Sequence, residues 1–462
     1  MHGTEHAGGI ATAVARLRGS ARSGATRPLA WRREQLAALE RMMVECEAEF
    51  AAALAADLGK PTLEAWATET AYVAGEARYA RRRLGAWMRP RRVPTPAVAL
   101  PGSSRLVPEP LGVVLVIGAW NYPVQGVLAP AVSALAAGNA VLIKPSELAP
   151  ASSAVLARLV PRYLDSEAVR VVEGGVAETE TLLRERFDHI VYTGSGRVGR
   201  IVMRAAAEHL TPVTLELGGR SPCVVLPDAD VEVAARRIAW GKFMNAGQTC
   251  IAPDHVLADA ATRERLVPAL VRAIHAFYGE RPLASPDLSR IVNRAHFDRL
   301  VRTLERLTPV HGGARDESTL RIEPTLVVDP PAGHPLVCDE IFGPILPLLT
   351  VAGLEDAIAR IEGGDTPLAA YLFTHDRAAE RRFVERVRAG MMCLNDTLMF
   401  TTVPELPHGG RGASGMGVFK GRAGFERLSH LKPVLRRGWW PDLALRYPPY
   451  TDTKFRWLRR LR

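Results

Sequence analysis

Along residues 30–54 the apolar positions Leu36, Leu39, Met42, Met43, Cys46 and Phe50 recur at steps of three and four, with charged residues between them. That spacing lays one apolar stripe along a helix. Residues 62–87 continue in the same way. Pro90, Pro94, Pro96 and Pro101 then end helix, because proline lacks an N–H and clashes with the preceding turn. Residues 91–109 therefore read as an extended edge ribbon or arm, not as core. From Leu111 the grammar changes. LGVVLVIG, AVLIKP, AVRVVEGG, FDHIVYT and PVTLEL are short apolar runs rich in β-branched residues, separated by helix-length segments of which GSGRVGRIVMRAAAEHL is the clearest. This predicts β-α repeated four times and a closing strand. The strands lack polar alternation, so both faces of the sheet should be covered by helices, as in a parallel sheet. After Gly219 a second α/β unit is predicted. Its strands are SPCVVLP, RIEPTLVV, PILPLLTV, LAAYLFT and MMCLN, with helices at 231–243, 262–278, 294–307, 354–361 and 377–387. The Gly-rich PHGGRGASGMG closes this unit.

A chain of 462 residues is too long for one simple core and predicts two or three domains. Hydrophobic content of 47% and charged content of 23% are ordinary for a globular protein. The formal net charge is +10, but arginines are interspersed with acids along the helices, which reads as a solvated basic surface and argues against a nucleic-acid partner. The densest basic run, KFRWLRRLR, follows the Trp439-Trp440 pair in the C-terminal tail, 441–462. A docked or frayed terminus is the first reading of it; peripheral contact with an anionic membrane is the second. No apolar run reaches the roughly 18 residues of a transmembrane span. The Arg-, Ala- and Ser-rich N-terminus resembles a transit peptide in composition but reads as the start of a surface helix, and a cytoplasmic location is expected. Cys46, Cys223, Cys250, Cys338 and Cys393 are scattered, with no CxxC and no HExxH. That fits a reducing compartment and no metal site.

Candidate chemistry gathers where predicted strands end. Asn121 follows the first strand in GAWNYP; Lys144 and Glu147 follow the second in IKPSE; GSGRVG (194–199) follows the fourth and opens a helix. A Gly-rich turn into a helix N-terminus suits a phosphate, although taken alone this loop reads first as a plain turn. Glu147 reads either as a ribose ligand or as a helix N-terminal acid stabilised by the dipole. Glu216 ends an apolar strand in LELGGRSP, as a rim salt bridge to Arg220 or as a general base whose pKa semi-burial would raise. MNAGQTCIAP delivers one thiol, Cys250, from a small, polar run. Unpaired cysteines are mostly inert and buried. With Glu216 as base and the Asn121 amide as oxyanion donor, however, Cys250 becomes a candidate nucleophile.

The strings EPLGVVLVIGAWNYP, AAGNAVLIKPSE, FDHIVYTGS, HLTPVTLELGGRSPC, RRIAWGKFMNAGQTCIAPDHVL, DEIFGPILP, LNDT and GASGMG together resemble the aldehyde dehydrogenase superfamily, most of all its class 3 branch, over about residues 10–450. The resemblance implies an aldehyde dehydrogenase-like α/β fold. It has a Rossmann-type parallel-sheet domain for NAD or NADP (1–90 and 110–218), an α/β catalytic domain (219–413) and a small bridging element (91–109 and 428–440) that joins two subunits of a homodimer. It implies oxidation of a medium- or long-chain aliphatic or an aromatic aldehyde to its acid, through a thiohemiacetal and a thioester on Cys250. The oxyanion would rest on the Asn121 side chain and the Cys250 N–H, and Glu216 would activate water. Lys144 and Glu147 would hold the adenosine ribose, and Gly194 and Ser195 the pyrophosphate, with Trp120 and Gly199 beside the cofactor. Gly219 would let the backbone approach it, and Glu340 and Phe342 would hold the nicotinamide ribose and ring.

The chain departs from the family pattern in two places. Gly196 stands where relatives usually carry threonine, with Arg197 beside it, and PHGG replaces PFGG, so His408 stands where an aromatic would pack, as a polar rim residue or a substrate contact. Three rival readings remain. A CoA-acylating enzyme should avoid thioester hydrolysis, against which a base at Glu216 argues. A cysteine hydrolase or esterase would pair Cys250 with His255 or His408 and Asn395. A catalytically idle binding protein on the same fold would use none of these groups.

Overall fold

The computed structural model describes residues 7–460; the first six residues, where the N-terminal helix was read to begin, and the last two of the tail lie outside the described residues. The grammar change at Leu111 marks the entry into a parallel sheet. Its five parallel strands are those read from the sequence: Val113–Ile117, Ala140–Lys144, Val169–Val171, His189–Thr193 and Val213–Glu216. A two-residue strand, Gly415–Met416, adds antiparallel at one edge, with Gly415 opposite Glu216.

Alternate residues of the central strand serve opposite faces. Val114 and Val116 enter a core shared with helices Leu29–Glu45, Ala71–Trp87, Gln125–Ala137 and Pro150–Tyr163. Val113, Leu115 and Ile117 enter another, shared with helices Ala7–Ser23, Val176–Arg184 and Gly196–Glu208. Both faces are covered, which is why the strands read as apolar runs without regular polar alternation. The chain begins in Val113–Ile117, steps outward to Ala140–Lys144 and Val169–Val171, then returns to the other side at His189–Thr193. The crevice beyond the carboxyl ends of Val113–Ile117 and His189–Thr193 is a topological switch point, where open α/β sheets bind ligands.

The second unit is a six-stranded parallel sheet in the order Thr325–Val328, Ile345–Thr350, His255–Ala258, Pro222–Val225, Ala369–Phe373, Met391–Leu394. The sequence reading lacked His255–Ala258. Only four residues long and preceded by Pro253 and Asp254, it carries too little periodicity to stand out. RIEPTLVV is split at Pro324 into Arg321–Ile322, which pairs with Arg315–Asp316, and Thr325–Val328. The helix expected at 294–307 ends at Leu304, and Arg306 takes a left-handed φ of 63°. Residues 62–87 are helical throughout but widen to a π turn at Trp66–Thr70.

The proline-broken arm forms strands Arg91–Val93 and Gly102–Pro110. Ser429–Arg437 pairs antiparallel with Gly102–Pro110 over its whole length, from Ser429 opposite Pro110 to Arg437 opposite Gly102. Beyond this three-stranded sheet the tail carries a short helix, Asp452–Arg460, and Trp439 and Trp440 are 99% and 83% exposed.

Candidate active site

The loop that carries Cys250 is shaped by three successive left-handed residues, Asn245 (φ 54°), Ala246 (φ 51°) and Gly247 (φ 74°). Two of them are not glycine, so the turn is strained, and strain of this kind persists only where the surroundings over-determine it. Here they do. The Asn245 N–H donates to Glu64 Oε1 at 2.9 Å, and Asn245 Nδ2 donates to the Asn121 and Gln248 carbonyls at 2.8 and 3.1 Å. Gln248 Nε2 donates to the Asn245 and Arg290 carbonyls, both at 3.0 Å, and Gln248 Oε1 accepts from the Val292 N–H, also at 3.0 Å. A side chain at Gly247 would lie 2.2 Å from the Gly343 carbonyl oxygen, so this position also requires glycine for space.

The Asn121 loop is fixed from the other side. Lys60 and Glu69 form a fully buried ion pair at 2.8 Å, and Lys60 Nζ also faces the Asn121 carbonyl at 3.4 Å and the Tyr122 ring at 4.1 Å. Glu69 Oε2 accepts the N–H groups of Val124 and Gln125, at the start of helix Gln125–Ala137. Asn121 Nδ2 donates one hydrogen to the Gln248 carbonyl at 3.1 Å. An amide nitrogen carries two, so one donor remains for a ligand.

Two cavities meet at the thiol. The larger, about 630 Å³, lies at the switch point and is lined by Trp120, Asn121, Thr193, Gly194, Ser195, Glu216, Gly218, Cys250, His296, Glu340 and Phe342 among others. The smaller, about 230 Å³, is mainly apolar, with Trp240, Met244, Ile251, Leu398, Met399 and Phe419 in its wall. Asn121, Glu216 and Cys250 line both. Three residues from three distant parts of the chain, singled out by residue type and position along the sequence, are thus brought together.

Cys250 Sγ donates to Glu216 Oε1 at 3.6 Å. Thr193 Oγ1 reaches Glu216 Oε2 at 3.4 Å, and His408 Nε2 lies 2.6 Å from Oε1. Burial and the neighbouring Glu216 charge push the Cys250 thiol well above its ordinary range, so the resting thiol is a neutral donor. The expectation that semi-burial raises Glu216 is corrected. Burial does act upward, but the His408 charge and hydrogen bond, with the Cys250 and Thr193 hydrogen bonds, outweigh it and hold the carboxyl below its ordinary value. Nor is Glu216 a rim partner of Arg220, whose guanidinium sits 3.5 Å from Asp254. His408 is not on the rim either; it is buried.

Of the cofactor candidates, Trp120, Gly194, Ser195, Glu340 and Phe342 line the larger cavity. Ser195 caps helix Gly196–Glu208, its Oγ accepting the Val198 N–H at 3.4 Å. Gly194 has φ 156°, and a Cβ there would meet Tyr192 Oη at 2.3 Å. Glycine at 194 thus leaves room for the Tyr192 hydroxyl beside the helix N-terminus, where backbone N–H groups suit an anion. Trp120 packs edge-on to Phe342, with ring centroids 5.4 Å apart, and Phe342 itself has φ 49°. Glu340 accepts the Gly219 N–H at 3.0 Å. A Cβ on Gly218 would lie 2.1 Å from Glu340 Oε2, so the carboxylate is tucked against bare backbone.

Lys144 ends its strand buried, Nζ donating to the Pro145 carbonyl at 2.7 Å and lying 3.8 Å from the half-exposed Glu147 carboxylate. Neither Lys144 nor Glu147 lines the larger cavity, and neither do Gly199 and Gly219. Gly199 packs inside the sheet–helix contact, where a Cβ would lie 2.9 Å from Leu217. A carboxylate, a buried ammonium, a capped helix N-terminus and an aromatic pair fit a dinucleotide: hydroxyl, phosphate and ring each find a group of matching chemistry.

The residues that sequence reasoning missed are Thr193, which holds Glu216, and the positioning network of Lys60, Glu69, Glu64, Asn245 and Gln248. Lys60 and Glu69 carry no motif; only their depth gives them meaning. Of the partners a hydrolase would use, His255 is buried with Nδ1 3.6 Å from Asp254, and Asn395 Oδ1 accepts the Thr374 N–H. His408 shares the small cavity with Cys250, but its ring bonds Glu216 and not the sulfur.

Comparison with known proteins agrees with this geometry. Residues 5–434 match the model of the aldehyde dehydrogenase family. Rat aldehyde dehydrogenase family 3 member A2 is 46% identical over 446 residues, covering 96% of this chain and 92% of the relative. The dog enzyme named aldehyde dehydrogenase, dimeric NADP-preferring, is 44% identical, with 95% and 98% of the two chains covered. The solved structure of Staphylococcus aureus AldH in a substrate-bound state superposes with a TM-score of 0.95 at 40% identity, covering 98% of this chain and 99% of that one. The chain belongs to the aldehyde dehydrogenase family, enzymes whose cofactor is NAD or NADP.

Proposed function

We propose that the protein oxidises a medium- or long-chain aliphatic, or an aromatic, aldehyde to the carboxylic acid by covalent catalysis on Cys250. The observation that carries this reading is the thiol at the junction of two cavities, bonded to a carboxylate and flanked by a free amide donor. The apolar wall of the smaller cavity suits a hydrophobic aldehyde tail.

The Cys250 sulfur attacks the aldehyde carbon as its proton passes to Glu216. The carbonyl oxygen takes up negative charge against Asn121 Nδ2 and the Cys250 N–H. The nicotinamide, when bound, supplies the acceptor for the hydride that leaves the same carbon. Cys250 then carries a thioester. With its proton released, Glu216 takes one from a water that attacks the thioester carbon, and the acid departs as the thiol is restored. Lys144, Glu147, Gly194, Ser195, Gly199, Gly219, Trp120, Glu340 and Phe342 remain the residues proposed to hold NAD or NADP. An ammonium beside a carboxylate at 144 and 147 offers opposite signs to a 2′-phosphate, so the two cofactors should be compared directly. The deciding assay is reduced-nicotinamide absorbance with an aldehyde panel, with each cofactor and without CoA. Aldehyde-dependent reduction is expected; ester cleavage without reduction would favour the hydrolase.

The domain division given above stands as part of this reading, as does a homodimer joined through Gly102–Pro110 and Ser429–Arg437. The five free cysteines support a reducing compartment, the cytoplasm. The exposed tryptophans beside the basic tail helix support peripheral contact with anionic lipid. No helix among the described residues is long and apolar enough to cross a membrane. Co-sedimentation with anionic but not neutral vesicles, lost on truncation after Gly438, tests the tail.

A further inference from the structure

His408 reaches the active site from a loop pinned by the chain beyond it. Its N–H donates to the Phe419 carbonyl at 3.0 Å, its carbonyl accepts the Phe419 N–H at 2.9 Å, and the two rings lie 5.1 Å apart. That anchorage sets the ring against Phe419 and turns its edge toward Glu216, with Nε2 2.6 Å from Oε1. Both side chains are less than a tenth exposed. An ionised carboxylate only accepts, so Nε2 carries the hydrogen. The same oxygen accepts from Cys250 Sγ at 3.6 Å. Imidazole, carboxylate and thiol are thus joined through one atom.

We propose that His408 is a positioning residue for Glu216: its N–H fixes the carboxylate toward the thiol and keeps it ionised, and so sets the pH below which turnover fails. This rests on the reading of Glu216 as the base of the reaction. A phenyl ring could pack on Phe419 in the same way, but it would offer Glu216 no donor. The groups facing His408 are few. Glu216 and Cys250 lie on the cavity side. Glu76, from helix Ala71–Trp87, lies behind it and is itself paired with Lys420 at 3.9 Å. Tyr72, from the same helix, shares the small cavity. Of these, Glu216 alone is within hydrogen-bond reach of the ring.

The sign follows. A carboxylate held below its ordinary range serves as a base above that value and loses the role as pH falls through it. Burial acting alone would move Glu216 upward. Without the imidazole, Cys250 and Thr193 remain as neutral partners, and the loss should begin at higher pH.

The test is the pH profile of kcat at saturating aldehyde and cofactor. In His408→Phe, which keeps a ring on Phe419 and removes the donor, the acid limb should move up by about one to two pH units, with KM for the aldehyde little changed. His408→Gln keeps a neutral donor near the same place and should recover part of that shift. An acid limb identical to wild type in His408→Phe overturns the proposal. Should that variant not fold, an unshifted limb in a folded His408→Gln overturns it equally. Glu216→Gln separates the two levels. If its turnover matches wild type, the base assignment itself fails. If its turnover collapses while His408→Phe keeps the wild-type limb, only the role of His408 falls.

Discussion

Two buried polar networks flank the reacting atoms, and they are built in opposite ways. Around Asn121 and Asn245, charge is cancelled and almost every donor is used: Lys60 meets Glu69, Glu69 caps a helix, and Gln248 bonds three backbone groups. Around Glu216, one carboxylate oxygen is shared by a thiol and an imidazole, all three able to change protonation. The first network fixes a backbone; the second is free to move protons. The contrast teaches that burial by itself does not mark a catalytic group. What separates the two is whether a bond can be given up without leaving an orphaned charge.

The strongest way to break this contrast is Cys250→Ala. Turnover should be lost, while cofactor binding, followed by quenching of the fluorescence of Trp120 and its neighbours, should persist. If fold and cofactor binding vanish together, the thiol belongs to the first network and the distinction collapses. Next comes Lys60→Met. Removing one partner of a fully buried pair leaves an uncompensated charge, at a cost of about 3–5 kcal/mol. Pairing it with Glu69→Gln should recover part of that loss in denaturant unfolding. A Lys60→Met protein as stable as wild type would show that the scaffold is not held by this pair.

Asn121 stands where the networks touch, its carbonyl bound by the scaffold and its amide turned to the thiol side. Asn121→Ala should slow the chemical step by about 10²–10³-fold, as one lost oxyanion donor does. Single-turnover reduction of the cofactor measures that step directly. An unchanged rate would leave Asn121 a member of the scaffold alone.

How much of this was written in the sequence depends on range. The five strands from Val113 to Glu216 were legible because each is a short, largely apolar run between turn signals, and Cys250, Glu216 and Asn121 were legible because each sits at a strand end or a helix stop. The strand His255–Ala258 was not, since four residues that pair with strands near Pro222 and Leu348 carry no local period. The same holds for charge. Semi-burial of Glu216 could be read from its apolar neighbours, but the partner that reverses its effect lies 192 positions away in sequence. Residue type predicts what a group can do; only contact across the fold decides which way it titrates.

Glu340 supplies the smallest effect and the finest test of that rule, because it is a part-buried carboxylate of this site with no cation in hydrogen-bond contact. Burial pushes it up to about 7, with the Gly219 N–H pulling against that and Asp254 adding to it. The folded protein therefore keeps Glu340 protonated up to about pH 7, while the unfolded chain ionises in the ordinary carboxyl range. Stability falls as pH rises between those two values and stays reduced above them. Glu340→Gln keeps an oxygen for the Gly219 N–H and removes the ionisation. Its Tm should exceed wild type at pH 8 by a few degrees and the gain should shrink at pH 5. If Glu340 also holds a cofactor hydroxyl, KM for the cofactor should rise by about tenfold, the loss of one good polar contact. A Tm difference equal at both pH values would mean that the carboxylate is ionised throughout, and that Arg299 and Lys242, at longer range, already do for Glu340 what His408 does for Glu216.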